Sequence, residues 1–157
     1  MKDTKAPDLT VSDLKKHAGF WLRFVSNHVS HAFARRLLAS GVTVAEWVVM
    51  REMFDDEEIS PGVVAERIGM TRGGVSKLVD RLVSKKLVTR RDRSDDRRFQ
   101  SIALTAAGRR LTPQLAALDD QNDEEFFHPL SAAERAALIA TMKKLVQAHG
   151  LQTLPTE

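Results

Sequence analysis

Apolar residues recur at spacings of three and four from Ser12 to Ser40. Leu14, Ala18, Trp21, Val25, Val29, Phe33 and Leu37 trace one face of a long first helix, and Gly41 supplies its stop. Thr43-Val-Ala-Glu46 has the form of a capping box and opens a second helix that runs to about Phe54. Acidic residues Asp55 to Glu58 then form a loop, with Ile59 a lone apolar residue after it. Ser60-Pro61 pairs an N-cap with proline at the first helical position and starts a third helix that ends near Ile68, before Gly69. Thr71 caps a fourth helix reaching about Lys85, with Val75, Leu78, Val79 and Leu82 inward. The period then changes. Leu87-Val-Thr-Arg-Arg91 and Gln100-Ser-Ile-Ala-Leu104 have strand character around the polar segment Asp92–Arg98, which predicts a hairpin. Thr105 caps a fifth helix to about Asn122, with Pro113 expected to kink it. Ser131-Ala-Ala-Glu134 opens a last helix to about His149.

Helices three and four are short and joined by Gly69-Met-Thr71, which is the pattern of a helix-turn-helix. Charge singles out the second of them. The chain is formally +3, yet residues 71–98 hold ten basic side chains against four acidic ones, so this block is +6 and the remaining 129 residues sum to −3. Such a block suits a polyanion. The fourth helix starts Thr71-Arg-Gly-Gly-Val-Ser-Lys77. Gly73 and Gly74 each lower helix propensity by about 1 kcal/mol relative to alanine. They either let the helix start approach a groove floor or phosphate, or leave a loosely formed first turn. Thr71, Arg72, Gly73, Gly74, Ser76, Lys77 and Arg81 are the candidate DNA-contacting residues of this helix. Arg93, Arg97 and Arg98 join them from the hairpin, whose Asp92, Asp95 and Asp96 could instead pair with those arginines. A helix-turn-helix followed by a two-stranded wing reads DNA with the helix in the major groove, and arginine suits a narrow minor groove.

Composition narrows the alternatives. With 157 residues, 43% hydrophobic and 29% charged, the chain can bury one ordinary core. Zero cysteines exclude a disulfide framework, a zinc ribbon and a thiol nucleophile. No apolar run approaches the roughly 20 residues that span a bilayer, and MKDTKAPDLT lacks a secretory stretch, so neither membrane association nor export is expected and a cytoplasmic location is. There is no Walker loop, dinucleotide fingerprint, H-E-x-x-H or G-x-S-x-G, and Asp119-Asp120 and Glu124-Glu125 look like solvated surface. An enzyme is therefore not expected, and no cofactor is implied.

Ile59-Ser60 leading through Val64-Ala65 to Gly69, then Val75-Ser-Lys-Leu-Val-Asp-Arg-Leu82, Leu87-Val88, Asp92-Arg-Ser-Asp-Asp-Arg-Arg98 and Leu104-Thr-Ala-Ala-Gly108 together resemble the multiple-antibiotic-resistance regulator (MarR) family of winged-helix transcription factors. Leu130-Ser-Ala-Ala-Glu134 resembles the start of that family's last helix. Lys86 departs from the pattern, standing where the family usually has glycine. The resemblance implies a mainly α fold with a winged helix-turn-helix at 41–105 and dimerisation helices at 1–40 and 106–157. It further implies a homodimer that represses from a pseudo-palindromic operator on double-stranded DNA and is relieved by a ligand. Phe126, Phe127, Leu130, Leu138, Leu145, Leu151 and Leu154 supply apolar surface for such a dimer, or equally for an intramolecular core.

Family members often take a small aromatic or anionic effector between the two parts. The candidates here are His17 and Trp21, one turn apart on the first helix, and Trp47 and Arg51, one turn apart on the second. A Trp–Arg pair can stack on and neutralise an aromatic carboxylate. Alternatively both tryptophans are core and Arg51 pairs with a nearby acid. His28 and His31 share a helical face and could begin a metal site in a metal-responsive regulator of the same fold, though ordinary surface histidines have the same spacing. A winged helix used for protein contact alone is the other competing reading.

Overall fold

In the computed structural model, residues 11–92 and 100–152 are described. A short 3-10 turn at Leu14–Lys16 precedes α1 (Ala18–Leu37), and a second follows it at Leu38–Ser40. The chain continues through α2 (Val44–Met53), α3 (Pro61–Ile68), α4 (Arg72–Ser84), β1 (Val88–Asp92), β2 (Gln100–Leu104), α5 (Ala106–Phe127) and α6 (Ala132–Ala148). The order is the one the sequence pattern predicts. Two boundaries differ. Asp13 accepts a hydrogen bond from the Lys15 amide at 3.0 Å and caps its own turn. His17 then takes an extended backbone, so α1 starts only at Ala18. At the other end α5 passes through Pro113 and beyond Asn122 to Phe127.

The core lies between the C-terminal end of α1, helices α2–α4, the strands and the first half of α5. Leu37, Val49, Met50, Val64, Val75, Val79, Leu82 and Ile102 are fully enclosed there. Side-chain oxygens seal most of the helix starts. Thr43 and Ser131 make complete capping boxes with Glu46 and Glu134, and Ser60, Thr71 and Thr105 each accept from the amide three residues on. Asp13 accepts from the amide two residues on and caps its 3-10 turn. The strands pair antiparallel from Val88↔Leu104 to Asp92↔Gln100. Ile59, the lone apolar residue of the acidic loop, adds a further rung: it exchanges backbone hydrogen bonds of 3.0 and 2.8 Å with Ile102.

The turn after α4 is tight. Lys86 holds φ +60°, the left-handed region that glycine adopts most easily. Its carbonyl accepts from the Thr105 hydroxyl at 2.8 Å, while the Leu87 carbonyl accepts from the Thr105 amide at 3.0 Å. A Cβ on Gly108 would stand 2.2 Å from that Leu87 oxygen, so only glycine lets α5 start this close to the turn.

The outer helices are different. Along α1 only Phe33 and Leu37 are buried, and Trp21, Leu22, Phe24 and Val25 are exposed. No residue of α6 is buried, and Ile139, Met142, Leu145 and Val146 are exposed. The C-terminal apolar residues within the described part do not close an intramolecular core; Leu154 lies outside it.

Candidate nucleic-acid interface

Helices α3 and α4 are joined by Gly69, which has a left-handed backbone, and Met70, whose amide donates to the Ala65 carbonyl at 2.9 Å. Arg67 anchors α3 to the end of α2 through Asp56 at 2.8 Å and Glu52 at 3.2 Å. The hydrogen bonds it donates to Asp56 and then Glu52 raise its pKa above the usual arginine value. Val75, Leu78, Val79 and Leu82 bury one face of α4. Thr71, Arg72, Gly73, Ser76, Lys77 and Arg81 are exposed, and Gly74 is half-buried. Arg72, Lys77 and Arg81 have no acidic partner among the described residues, so the outer face of α4 carries uncompensated positive charge.

The two glycines separate by what surrounds them. A Cβ on Gly74 would come within 3.0 Å of the Thr71 hydroxyl, which receives the Gly74 amide, so this residue serves the cap. A Cβ on Gly73 would meet nothing within 4 Å. The first turn is well formed in spite of both. Beside it, the Arg72 side chain lies over the start of α3, with Nε 3.6 Å from where a Gly62 Cβ would stand.

Part of the basic block is used inside the protein. Arg90 on β1 pairs with Asp80 of α4 at 2.6 Å and fixes the wing to the helix. Arg91 pairs with Glu58, which also accepts from the Ser101 hydroxyl at 3.1 Å. Lys85 pairs with the buried Glu46 at 2.6 Å. Sequence reasoning counts these three cations as outward charge because their acids lie 10 to 39 positions away along the chain. Arg93, Arg97 and Arg98 lie outside the described residues.

The effector candidates do not converge within one chain. Trp47 is 4% exposed, with its ring edge-on to Phe33 at 6.3 Å. It is a core residue. Burial pushes the Asp119 carboxyl up, the neighbouring Trp47 indole opposes this, and Asp120 and Asp123 add to the rise. Arg51 is exposed and pairs with Asp55 at 3.0 Å, at the rim of a cleft of about 310 Å³ between α2 and α5 whose wall includes Phe54, Pro113 and Ala116. His17 and Trp21 sit at the far end of α1. His17 Nε2 is 3.0 Å from the Ser12 hydroxyl, and the Trp21 indole donates to the Lys15 carbonyl at 2.8 Å. At 1.5 Å per residue, Trp21 is about 18 Å along the helix from Phe33 and hence from the Trp47 environment. His28 Nδ1 bonds the Phe24 carbonyl at 2.7 Å, and no group of three metal-ligating side chains forms among the described residues.

A helix-turn-helix whose second helix presents exposed cations, backed by a two-stranded wing and carried on long outer helices, defines a winged-helix protein of the regulator class. Residues 40–98 match the model of the MarR family. The chain is 27% identical over 105 residues to the transcriptional regulator HosA of Escherichia coli O157:H7, which covers 67% of this chain and 78% of HosA. Its structure is similar to that of a MarR variant of E. coli complexed with operator DNA, with TM-score 0.78, 25% identity and coverage of 86% and 99% of the two chains. It is also similar to CouR of Rhodococcus jostii RHA1 bound to p-coumaroyl-CoA, with TM-score 0.74, 26% identity and coverage of 93% and 100%. The chain is thus similar, in sequence and in fold, to the MarR family of winged-helix transcriptional regulators. Among the described residues no helix is long and apolar enough to cross a membrane.

Proposed function

We propose that this protein is a homodimeric, ligand-responsive repressor that binds a pseudo-palindromic operator in cytoplasmic DNA. The observation that carries the reading is the outer face of α4, where Arg72, Lys77 and Arg81 stand exposed, without an acidic partner among the described residues, opposite a buried apolar face. These side chains, with Ser76 and the Thr71–Gly74 turn, reach base edges and phosphates in the major groove. Arg93, Arg97 and Arg98 of the wing contact the neighbouring backbone or minor groove. Residues 41–105 form the DNA-reading unit, and 1–40 with 106–157 form the dimer frame. The exposed apolar residues of α1 and α6 support that frame, since patches of this kind mark protein interfaces. Two such lobes read half-sites whose centres are about one helical turn apart, roughly 10 base pairs. A small aromatic or anionic effector is placed at Arg51, in the cleft between α2 and α5, without stacking on Trp47.

The test is selection of duplexes by the full chain from a random-sequence library, followed by affinity measurements on the enriched and an unenriched duplex. Enrichment of an inverted repeat, bound by two chains, is the expected result. Equal affinity for both duplexes at every salt concentration would leave a non-specific or protein-binding winged helix instead.

A further inference from the structure

Glu46 is 1% exposed, yet it carries a carboxylate. Its Oε2 accepts the Thr43 amide at 2.8 Å, which completes the capping box of α2. Glutamine would serve that cap equally well without placing a charge in the interior. The partner that requires a charge is Lys85. Its Nζ donates to Glu46 Oε2 at 2.6 Å and to the Gly41 carbonyl at 2.7 Å. Glu46 Oε1 has no hydrogen-bond partner among the described residues, so the Lys85 ammonium and the start of α2 carry the compensation. Lys85 is the C-cap of α4, Gly41 ends the turn that follows α1, and Glu46 lies in the first turn of α2. One ammonium therefore joins the end of the recognition helix to the junction between the outer helix and the lobe.

We infer that Lys85 and Glu46 are positioning residues that fix the angle of α4 against α1, and with it the placement of the DNA-reading end of α4. The inference rests on the DNA-reading function proposed above. The clamp grips the C-terminal end of α4, while Arg72 is at the other end, about 20 Å away. A tilt of about 10° at the clamp displaces that end by about 3 Å over such a length, enough to break hydrogen bonds to bases and phosphates. Apolar packing of Val75, Val79 and Leu82 holds α4 in the lobe, but crossing angles set by such packing scatter by about 15–20°, more than the tilt the clamp resists.

The chain has no cysteine, so Ser26→Cys on α1 and Ser76→Cys on α4 give two unique spin-label sites. Labelled chains are diluted with unlabelled protein, and the intrachain distance is measured by pulsed electron paramagnetic resonance without DNA. The wild-type background should give one narrow distance peak. Lys85→Met should lose it. Because Lys85→Met leaves a buried charge unpaired and can unfold the lobe, the double variant Glu46→Gln/Lys85→Met is measured beside it; it keeps the cap and removes both charges. A folded double variant with the wild-type peak overturns the inference. A lower melting temperature with an unchanged peak does the same, since it reduces the pair to ordinary stabilisation.

A second arm uses duplex selected by the wild-type protein. In the unlabelled double variant, affinity for it should fall roughly tenfold, about 1.4 kcal/mol. Affinity for random duplex and the salt slope should stay unchanged. Equal weakening on both duplexes, with the slope reduced by about 0.9 for each phosphate no longer neutralised, would make Lys85 a DNA-binding residue and not a clamp. If the wild-type protein selects no duplex, the proposed function fails while the distance measurement still decides the clamp.

Discussion

Gly73 has open space where its side chain would be and sits in the first turn of a helix that is nevertheless well formed. Gly73→Ala should therefore raise stability by about 1 kcal/mol, from helix propensity alone. It should at the same time weaken operator binding, because a methyl group enters the space between the helix start and DNA. Paired melting and binding curves check both signs, and unchanged binding would mean that the backbone does not approach the duplex. Lys86 makes the opposite case. Its left-handed backbone costs a side-chain-bearing residue about 1 kcal/mol, so Lys86→Gly should stabilise the fold by about that amount in denaturant titration. Glu46 gives a prediction in pH. Burial pushes its carboxyl up, but Lys85 and the Thr43 amide outweigh this and hold it below its usual value. A depressed folded-state pKa contributes stability that is fully present above the unfolded value and lost as pH falls through the folded one. The stability gap between wild type and Glu46→Gln should be constant above about pH 5 and close in more acidic solution.

At the scale of elements, the helix-turn-helix and the wing should separate by what each contributes to binding. Arg72→Ala or Lys77→Ala should narrow the gap between operator and random DNA, because a bidentate hydrogen bond to a base discriminates by about 1–3 kcal/mol. Arg97→Ala or Arg98→Ala should weaken both duplexes and flatten the salt dependence by about 0.9 in slope for each phosphate left without its cation. Salt titrations of each variant decide between the two patterns. The elements themselves were legible because their signals are local: Thr43 with Glu46, Ser60 before Pro61, and apolar spacing along α4 are each contained within a few residues. What stayed hidden depends on distant partners. Ile59 gave no sign that it would bond Ile102, and nothing near Lys85, Arg90 or Arg91 announced the acids that occupy them. Trp47 and Arg51 share a helical face by spacing, yet one is enclosed by Phe33 and the other is turned to Asp55.

At the scale of the molecule, the outer helices are unfinished as a single chain. Trp21, Phe24 and Val25 on α1, with Ile139, Met142 and Leu145 on α6, are apolar side chains left exposed. Met142→Glu with Leu145→Glu should shift the protein from dimer to monomer in sedimentation equilibrium, and operator affinity should fall with it. A double variant that remains a dimer would place the interface elsewhere. The exchange of backbone hydrogen bonds between Ile59 and Ile102 has a mechanical meaning at this scale. It stitches the strand at the back of the wing to the segment entering α3, so the base of the wing is no free flap. The amides of Ile59 and Ile102 should exchange their protons for deuterium at one shared, slow rate, as members of one cooperative unit. On the function proposed above, a ligand that releases DNA moves the base of the wing together with α3, swinging the whole lobe like a hand turned at the wrist.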